Sequence, residues 1–243
     1  MLHDDGVMPV LTTGRWAVAP SGGFALRTIR LLAVGFAFAL LAAGLVYAYW
    51  VGVEHRLTVV TPGRVFQSAE MPPGDLVELA RRLGIQTVFD FRDDPDHEPR
   101  IAGERAALEE HGIRYVHLPS SIRPSPQAVT AFVRAMQAEL AERRTVLLHC
   151  HDGEGRAVFF AAVYRMEFEG WDNARTYNAT TRLPPSLMFM SKALPFLGRL
   201  SPGNPKTPLI LDYRRLANAQ IPAAIGSPVR AVQLQAVRAA RIQ

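Results

Sequence analysis

The residues able to do chemistry are gathered in one stretch, TVLLHCHDGEGRA at residues 145–157, which holds the only cysteine of the 243-residue chain. An apolar, β-rich run delivers Cys150, five residues follow, and Arg156 opens a run rich in Ala, Val and Phe that reads as a helix. A strand, a tight loop and a helix N-terminus together make an anion cradle. The N–H groups of His151, Asp152, Gly153, Glu154 and Gly155 and the positive end of the helix dipole point inward, and the two glycines permit the turns. Such a field lowers a thiol pKa from about 8.5 toward about 3.5–7.5, so that Cys150 becomes a nucleophile at neutral pH. Arg156, at the far end of the loop, can fork two N–H bonds to phosphoryl oxygens and hold them as charge redistributes. One cysteine excludes an internal disulfide and a multi-cysteine zinc site. His149, Cys150, His151 and Asp152 alternate in direction at a strand end and do not converge on one ion, so no metal is expected.

Short apolar runs alternate with amphipathic ones through the body of the chain. Strand-like segments at 64–68, 87–92, 115–118 and 145–149 are each followed by a helix-like one, at 73–83, 101–111, 126–143 and 156–169. This order predicts an α/β fold with a four-stranded, mainly parallel sheet flanked by helices. Ser125 before Pro126 reads as an N-cap, and Gly84, Gly112 and Gly170 fall just beyond helix ends. Further helices are expected at 172–181, 186–200 and 211–219, with a Pro/Gly-rich loop at 201–208.

Residues 31–53 carry no charge, and 23 helical residues at about 1.5 Å each cross a hydrocarbon core of about 30 Å. Arg15, Arg27 and Arg30 precede the run, so the positive-inside bias places residues 1–30 in the cytoplasm and everything after the span outside. A cleaved signal peptide ending at Val46-Tyr47-Ala48 is the competing reading; the uncharged run continuing past that site favours a signal anchor. Either exports the domain. The expected organisation is a cytoplasmic segment 1–30, a transmembrane helix 31–53, a catalytic domain 57–220 and a basic tail 221–243, in a single-pass protein of a bacterial inner membrane. The formal charge of +5 divides into +1 for residues 1–56, +1 for the body and +3 for the tail. A body so nearly neutral offers no cationic stripe for nucleic acid.

His149, Cys150, Gly153 and Arg156, in the His-Cys, five residues, Arg spacing between strand and helix, resemble the signature of the cysteine-dependent protein tyrosine phosphatase superfamily. PGRVFQSAEMPP, LGIQTVFDFRDD and GIRYVHLP, in that order, are similar to segments of the atypical dual-specificity phosphatases of bacteria, fungi and plants. The resemblance covers about residues 61–200. It implies hydrolysis of phosphomonoesters through a phosphocysteine intermediate, no metal or organic cofactor, and a phosphorylated protein, inositol phosphate or lipid phosphate as substrate. Three positions depart from the pattern: Ala157 stands where the family usually has Ser or Thr, Glu154 where close members often have Lys, and residues 119–124 lack the general-acid Asp. These departures motivate a second reading, a phosphate-binding interaction module without turnover. For catalysis they leave Asp152 as the candidate acid, in the place of an Asp assigned that task in the myotubularin-like lipid phosphatases that the loop resembles, with Glu154 as the alternative.

Outside the loop, Arg92 at a strand's C-terminal end is read equally as a substrate contact or a structural ion pair, and Arg123 as a second candidate contact. Asp90, Asp93, Asp94, Asp96 and Glu98 read as a solvated loop. Phe159, Phe160, Tyr164, Met188, Phe189 and Met190 read as core.

Overall fold

The computed structural model describes residues 22–180, 183–187, 189–190 and 200–216. The chain divides into two units, Met1–Ala43 and Gly44–Gln243. Helix α1 (Gly22–Gly52) runs through the described part of the first and enters the second. Within it Leu26–Gly52, 27 residues, is long and apolar enough to cross a membrane by length and composition, a test that a signal sequence also passes. Leu31, Phe36, Phe38 and Leu41 are exposed along it.

The second unit is a five-stranded sheet with helices on both faces. Strand β1 (Thr58–Thr61) pairs antiparallel with β2 (Val65–Ala69), and β5 (Val146–Cys150), β3 (Thr87–Asp90) and β4 (Arg114–His117) continue in parallel, in the order β1-β2-β5-β3-β4. The expected four strands are therefore corrected to five. The extra strand, TVVT, has no following helix and joins β2 through a tight turn at Pro62-Gly63, so a search for strand-helix alternation passes over it.

Helices α2 (Pro73–Leu83) and α3 (Pro99–Glu110) cover one face; α4 (Pro126–Ala141) and α5 (Arg156–Phe168) cover the other. The period of two along a strand sorts the side chains. Leu147 and Val88 pack with Leu76, Ala80 and Leu108 on the first face, while Val146, Leu148, Cys150, Phe89 and Phe91 pack on the second. There Phe91 stacks on Phe160 at 4.1 Å and Phe132 meets both edge-on or tilted, a cluster whose truncation at Phe160 would cost about 3–5 kcal/mol. This alternation aims Cys150 toward α5 and its neighbour His149 toward α3. Ser125 caps α4, accepting from the Ala128 N–H at 3.2 Å, and Gly84 ends α2 at φ 66°.

The C-terminal part differs from expectation. Helix α6 (Asn173–Asn178) is shorter than the expected 172–181: Asp172 is its N-cap, accepting from Arg175 N–H at 2.7 Å, and Ala179 is its C-cap. Residues Pro185–Leu187 form one 3₁₀ turn, and most of the helix expected at 186–200 lies outside the described residues. Helix α7 (Thr207–Leu211) ends where a helix was expected to begin; it starts at Thr207, with Pro208 in its first turn, inside what was read as a loop. Phe189 is 67% exposed rather than core. The N-terminal segment to residue 21 and the tail from 221 lie outside the described residues.

Candidate active site

Strand β5 ends at Cys150, which is 2% exposed, and α5 begins at Arg156, with residues 151–155 looping between. The loop's carbonyls are engaged from outside: Glu70 N–H donates to His151 O at 3.1 Å, Gln67 Nε2 to Gly153 O at 3.0 Å, and Phe159 N–H to Gly155 O at 2.9 Å. Among the described residues the N–H groups of His151, Asp152, Gly153 and Gly155 donate to no carbonyl. With carbonyls turned out and amides left over, the loop has the polarity of an anion nest. Gly155 precedes α5 with no side-chain cap, so the first amides of α5 add to it.

Gly153 is required twice. Its φ is +65°, and a Cβ there would lie 2.6 Å from Ala69 N and 2.9 Å from Ser68 C, since the end of β2 passes directly beside the loop.

Arg156 is held from two sides. Its Nη1 donates to the Ser120 carbonyl at 3.1 Å and to the Asp93 carboxylate, which the guanidinium keeps below the ordinary carboxylate range. Asp93 thus occupies one arm of the fork, and Ser120 ties the loop after β4 to the site. Glu154 pairs with Arg56, whose guanidinium lies 5.7 Å from the Trp50 ring and 5.9 Å from that of Tyr47. The carboxylate that would repel a phosphate dianion is neutralised from the junction after α1. Asp152 extends to solvent, its side chain 79% exposed. His151, also exposed, is tethered by Nδ1 3.0 Å from Glu70.

Behind the loop is a buried charge network. Arg92, 2% exposed, donates to Asp90 at 2.7 Å, Glu104 at 2.8 Å and Glu70 at 3.0 Å. Of its two readings this geometry is the ion pair; all its arms are on carboxylates. His149 Nε2 lies 2.9 Å from Glu104, close enough for charge pairing though not aligned as a hydrogen bond, and 3.8 Å from Asp90. Tyr115 donates to Asp90 at 2.5 Å. Burial alone would raise the Asp90 pKa, but His149, Arg92 and Tyr115 outweigh it and hold it at about 2. Burial alone would lower that of His149, and Asp90 and Glu104 outweigh that too, raising it. Asp90, Glu104 and His149 have the spacing of a metal set, with ligand atoms within 4.8 Å of one another. The set does not fit an ion: Arg92 already sits on both carboxylates, and a dication would face it at contact distance. The network pins the ends of β3 and β5 to α3 beneath the loop.

Of the cluster read as a solvated loop, Asp90 is instead in the buried network, while Asp93 stays exposed, its side chain 58% accessible, and pairs with Arg156. Asp94 and Asp96 stay on the surface, paired with Arg100 and Arg105. Arg123 is exposed on its loop. Lys206, 5% exposed and packed over Gly155, was missed; the available signal was its rarity, two lysines against twenty-five arginines.

A cysteine at a strand end, an arginine at the following helix start and an amide-lined loop between them define a cysteine-dependent phosphate-loop protein. No family model matches the chain. The dual specificity protein phosphatase TpbA of Pseudomonas aeruginosa is 37% identical over 110 residues, 44% of this chain and 45% of its own length. The chain thus spans about half the length of the curated relatives it matches. The crystal structure of P. aeruginosa TpbA is 31% identical over 53% of this chain and 74% of that one, with a TM-score of 0.44. TpbA in complex with phosphotyrosine is 30% identical over 52% and 72%, TM-score 0.44. By sequence, the chain belongs to the cysteine-dependent protein tyrosine phosphatase superfamily, among its atypical dual-specificity members.

Proposed function

We propose that the chain is a membrane-anchored phosphatase that hydrolyses phosphomonoesters through a phosphocysteine intermediate. The observation that carries the reading is the placement of Cys150 and Arg156 at the two ends of a loop in which the N–H groups of His151, Asp152, Gly153 and Gly155 donate to no carbonyl among the described residues. The Cys150 thiolate attacks phosphorus and the P–O bond to the leaving group breaks. Arg156 and the loop N–H groups bind the equatorial oxygens, and Asp152 donates the proton to the departing alkoxide. Water then attacks the phosphocysteine, giving up a proton to the Asp152 carboxylate as the S–P bond breaks, which releases phosphate and returns the thiolate. Arg156 must exchange Asp93 for a phosphoryl oxygen as substrate enters, and a dianion is the stronger competitor for that fork. The phosphotyrosine complex of TpbA supports a phosphorylated protein as substrate class; inositol and lipid phosphates remain open to the same chemistry.

The test is hydrolysis of p-nitrophenyl phosphate by the full chain without added metal. Activity abolished by Cys150→Ser supports the reading, and activity retained by that variant overturns the mechanism. A binding module without turnover is the second reading, favoured by Ala157 and by Asp93 already seated on Arg156. It predicts phosphate binding that needs Arg156 and no metal-independent turnover.

The apolar length of Leu26–Gly52 and the arginines before it support a single-pass anchor in a bacterial inner membrane with the catalytic domain outside. An alkaline phosphatase reporter fused after Gln243 should be active; an active cytoplasmic-only fluorescent reporter would contradict it.

A further inference from the structure

Lys206 is 5% exposed and makes no ion pair among the described residues. An amine that buried ordinarily carries a carboxylate partner. This one instead ends over the phosphate loop: a Cβ on Gly155 would lie 3.1 Å from Nζ and 3.3 Å from Cε. Its backbone is fixed there. Lys206 N–H donates to Asn204 Oδ1 at 3.0 Å and Thr207 Oγ1 to the Ser201 carbonyl at 2.7 Å. Asn173 clamps the end of α7 through the Leu211 and Tyr213 carbonyls, at 2.8 and 2.9 Å. Ile210 is buried against the core that contains α5. The amine therefore does not swing in from a surface loop; the packing of α7 holds it at the loop.

From this geometry we infer that Lys206 is the second cation of the anion site, its Nζ donating to a non-bridging phosphoryl oxygen on the Gly155 side while Arg156 holds the other side. The inference rests on the phosphate-site reading above and adds a ligand group from a segment outside the strand-loop-helix motif. The electrostatics agree: burial lowers the Lys206 pKa, the Cys150 thiolate opposes that, and Arg156 adds to the lowering. A phosphoryl dianion between the two cations relieves their repulsion. A glycine at 155 leaves room for the amine as well as for the turn.

The full chain in detergent provides the test, because Cys150 is its only thiol and iodoacetamide therefore reports on that site alone. Inorganic phosphate should protect Cys150 from alkylation. In Lys206→Met, half-protection should require about tenfold more phosphate, and in Lys206→Arg no more than about threefold, consistent with a hydrogen bond to a charged ligand. A Lys206→Met value within twofold of wild type, or a Lys206→Arg loss as large as that of Lys206→Met, overturns the assignment. A second measurement needs no variant. With only two lysines in the chain, amine labelling followed by peptide mapping separates Lys206 from Lys192, and phosphate should slow labelling of Lys206 at least about fivefold. Labelling indifferent to phosphate overturns the assignment even if Lys206→Met does not fold. Protection of both residues without turnover of p-nitrophenyl phosphate would sink hydrolysis and support Lys206 as a phosphate ligand. Absence of any protection in wild type would sink both.

Discussion

Replacing Glu104 with Gln takes one carboxylate from Arg92 and from His149 the carboxylate nearest to it, 2.9 Å away. Glu104 and His149 are 1% exposed, so water does not compensate the loss. Breaking a buried ion pair by removing one partner costs about 3–5 kcal/mol, against a total stability of about 5–15 kcal/mol. For a domain of this size that lowers Tm by about 6–20 °C. The dependence on pH follows from the raised His149 pKa. A group whose pKa is higher folded than unfolded contributes stability that is complete below about pH 6.5 and is lost as pH rises through the folded value. Because Glu104 is part of what raises it, the gap between wild type and Glu104→Gln should be largest near about pH 6. It should narrow as pH rises through the raised folded pKa of His149, above which the imidazole is neutral. Asp90 behaves oppositely: its contribution is present above about pH 4 and lost as pH falls through its folded pKa of about 2. Urea unfolding followed by tryptophan fluorescence reads these differences. A loss under about 1 kcal/mol, or a gap that widens from pH 6 to 9, would refute the charged network.

Gly153→Ala should leave the chain folded and cut turnover about 10²-fold, because the added Cβ displaces the loop against Ala69; unchanged kcat would mean that the loop tolerates the shift. Arg56→Gln takes from Glu154 the guanidinium that neutralises it and should raise the phosphate needed to inhibit by about three- to tenfold, with Glu154→Gln restoring it in the double variant. No restoration would place the effect of Arg56 elsewhere. Asp152→Asn should reduce kcat for an alkyl phosphate by about 10²- to 10⁴-fold and barely change that for p-nitrophenyl phosphate, whose leaving group departs unaided. Equal losses on both would remove Asp152 from the acid's role and make Glu154→Gln the next measurement.

The parallel part of the sheet was legible because each of its strands is a short apolar run followed by a helix with its own stop signal, such as Gly84 after α2. The loop was legible because its function depends on adjacent residues: Cys150, Gly153 and Arg156 act at fixed spacing along one backbone. Strand β1 was not, since TVVT owes its pairing to a hairpin with β2 rather than to any pattern of its own. The buried network was illegible for a different reason. Asp90, Arg92, Glu104 and His149 come from three elements, and a charge flanked by other charges in sequence reads as surface until the fold brings an opposite charge to it. Asp93 and Lys206 are the same case at the site itself, joined to Arg156 and Gly155 across 63 and 51 positions of chain.

A phosphoryl group that passes through the Cys150 sulfur can be trapped there. Ala157 offers no hydroxyl to help the sulfur depart, so formation of the intermediate should outrun its hydrolysis, and an initial burst of nitrophenol should approach one per chain. Acid quenching within that burst, followed by mass spectrometry of the peptide containing Cys150, should find one phosphoryl group on the cysteine. The adduct should be absent in Cys150→Ser and in Arg156→Ala. Steady turnover of p-nitrophenyl phosphate with no burst and no phosphoryl group on Cys150 at any quench time would contradict the account.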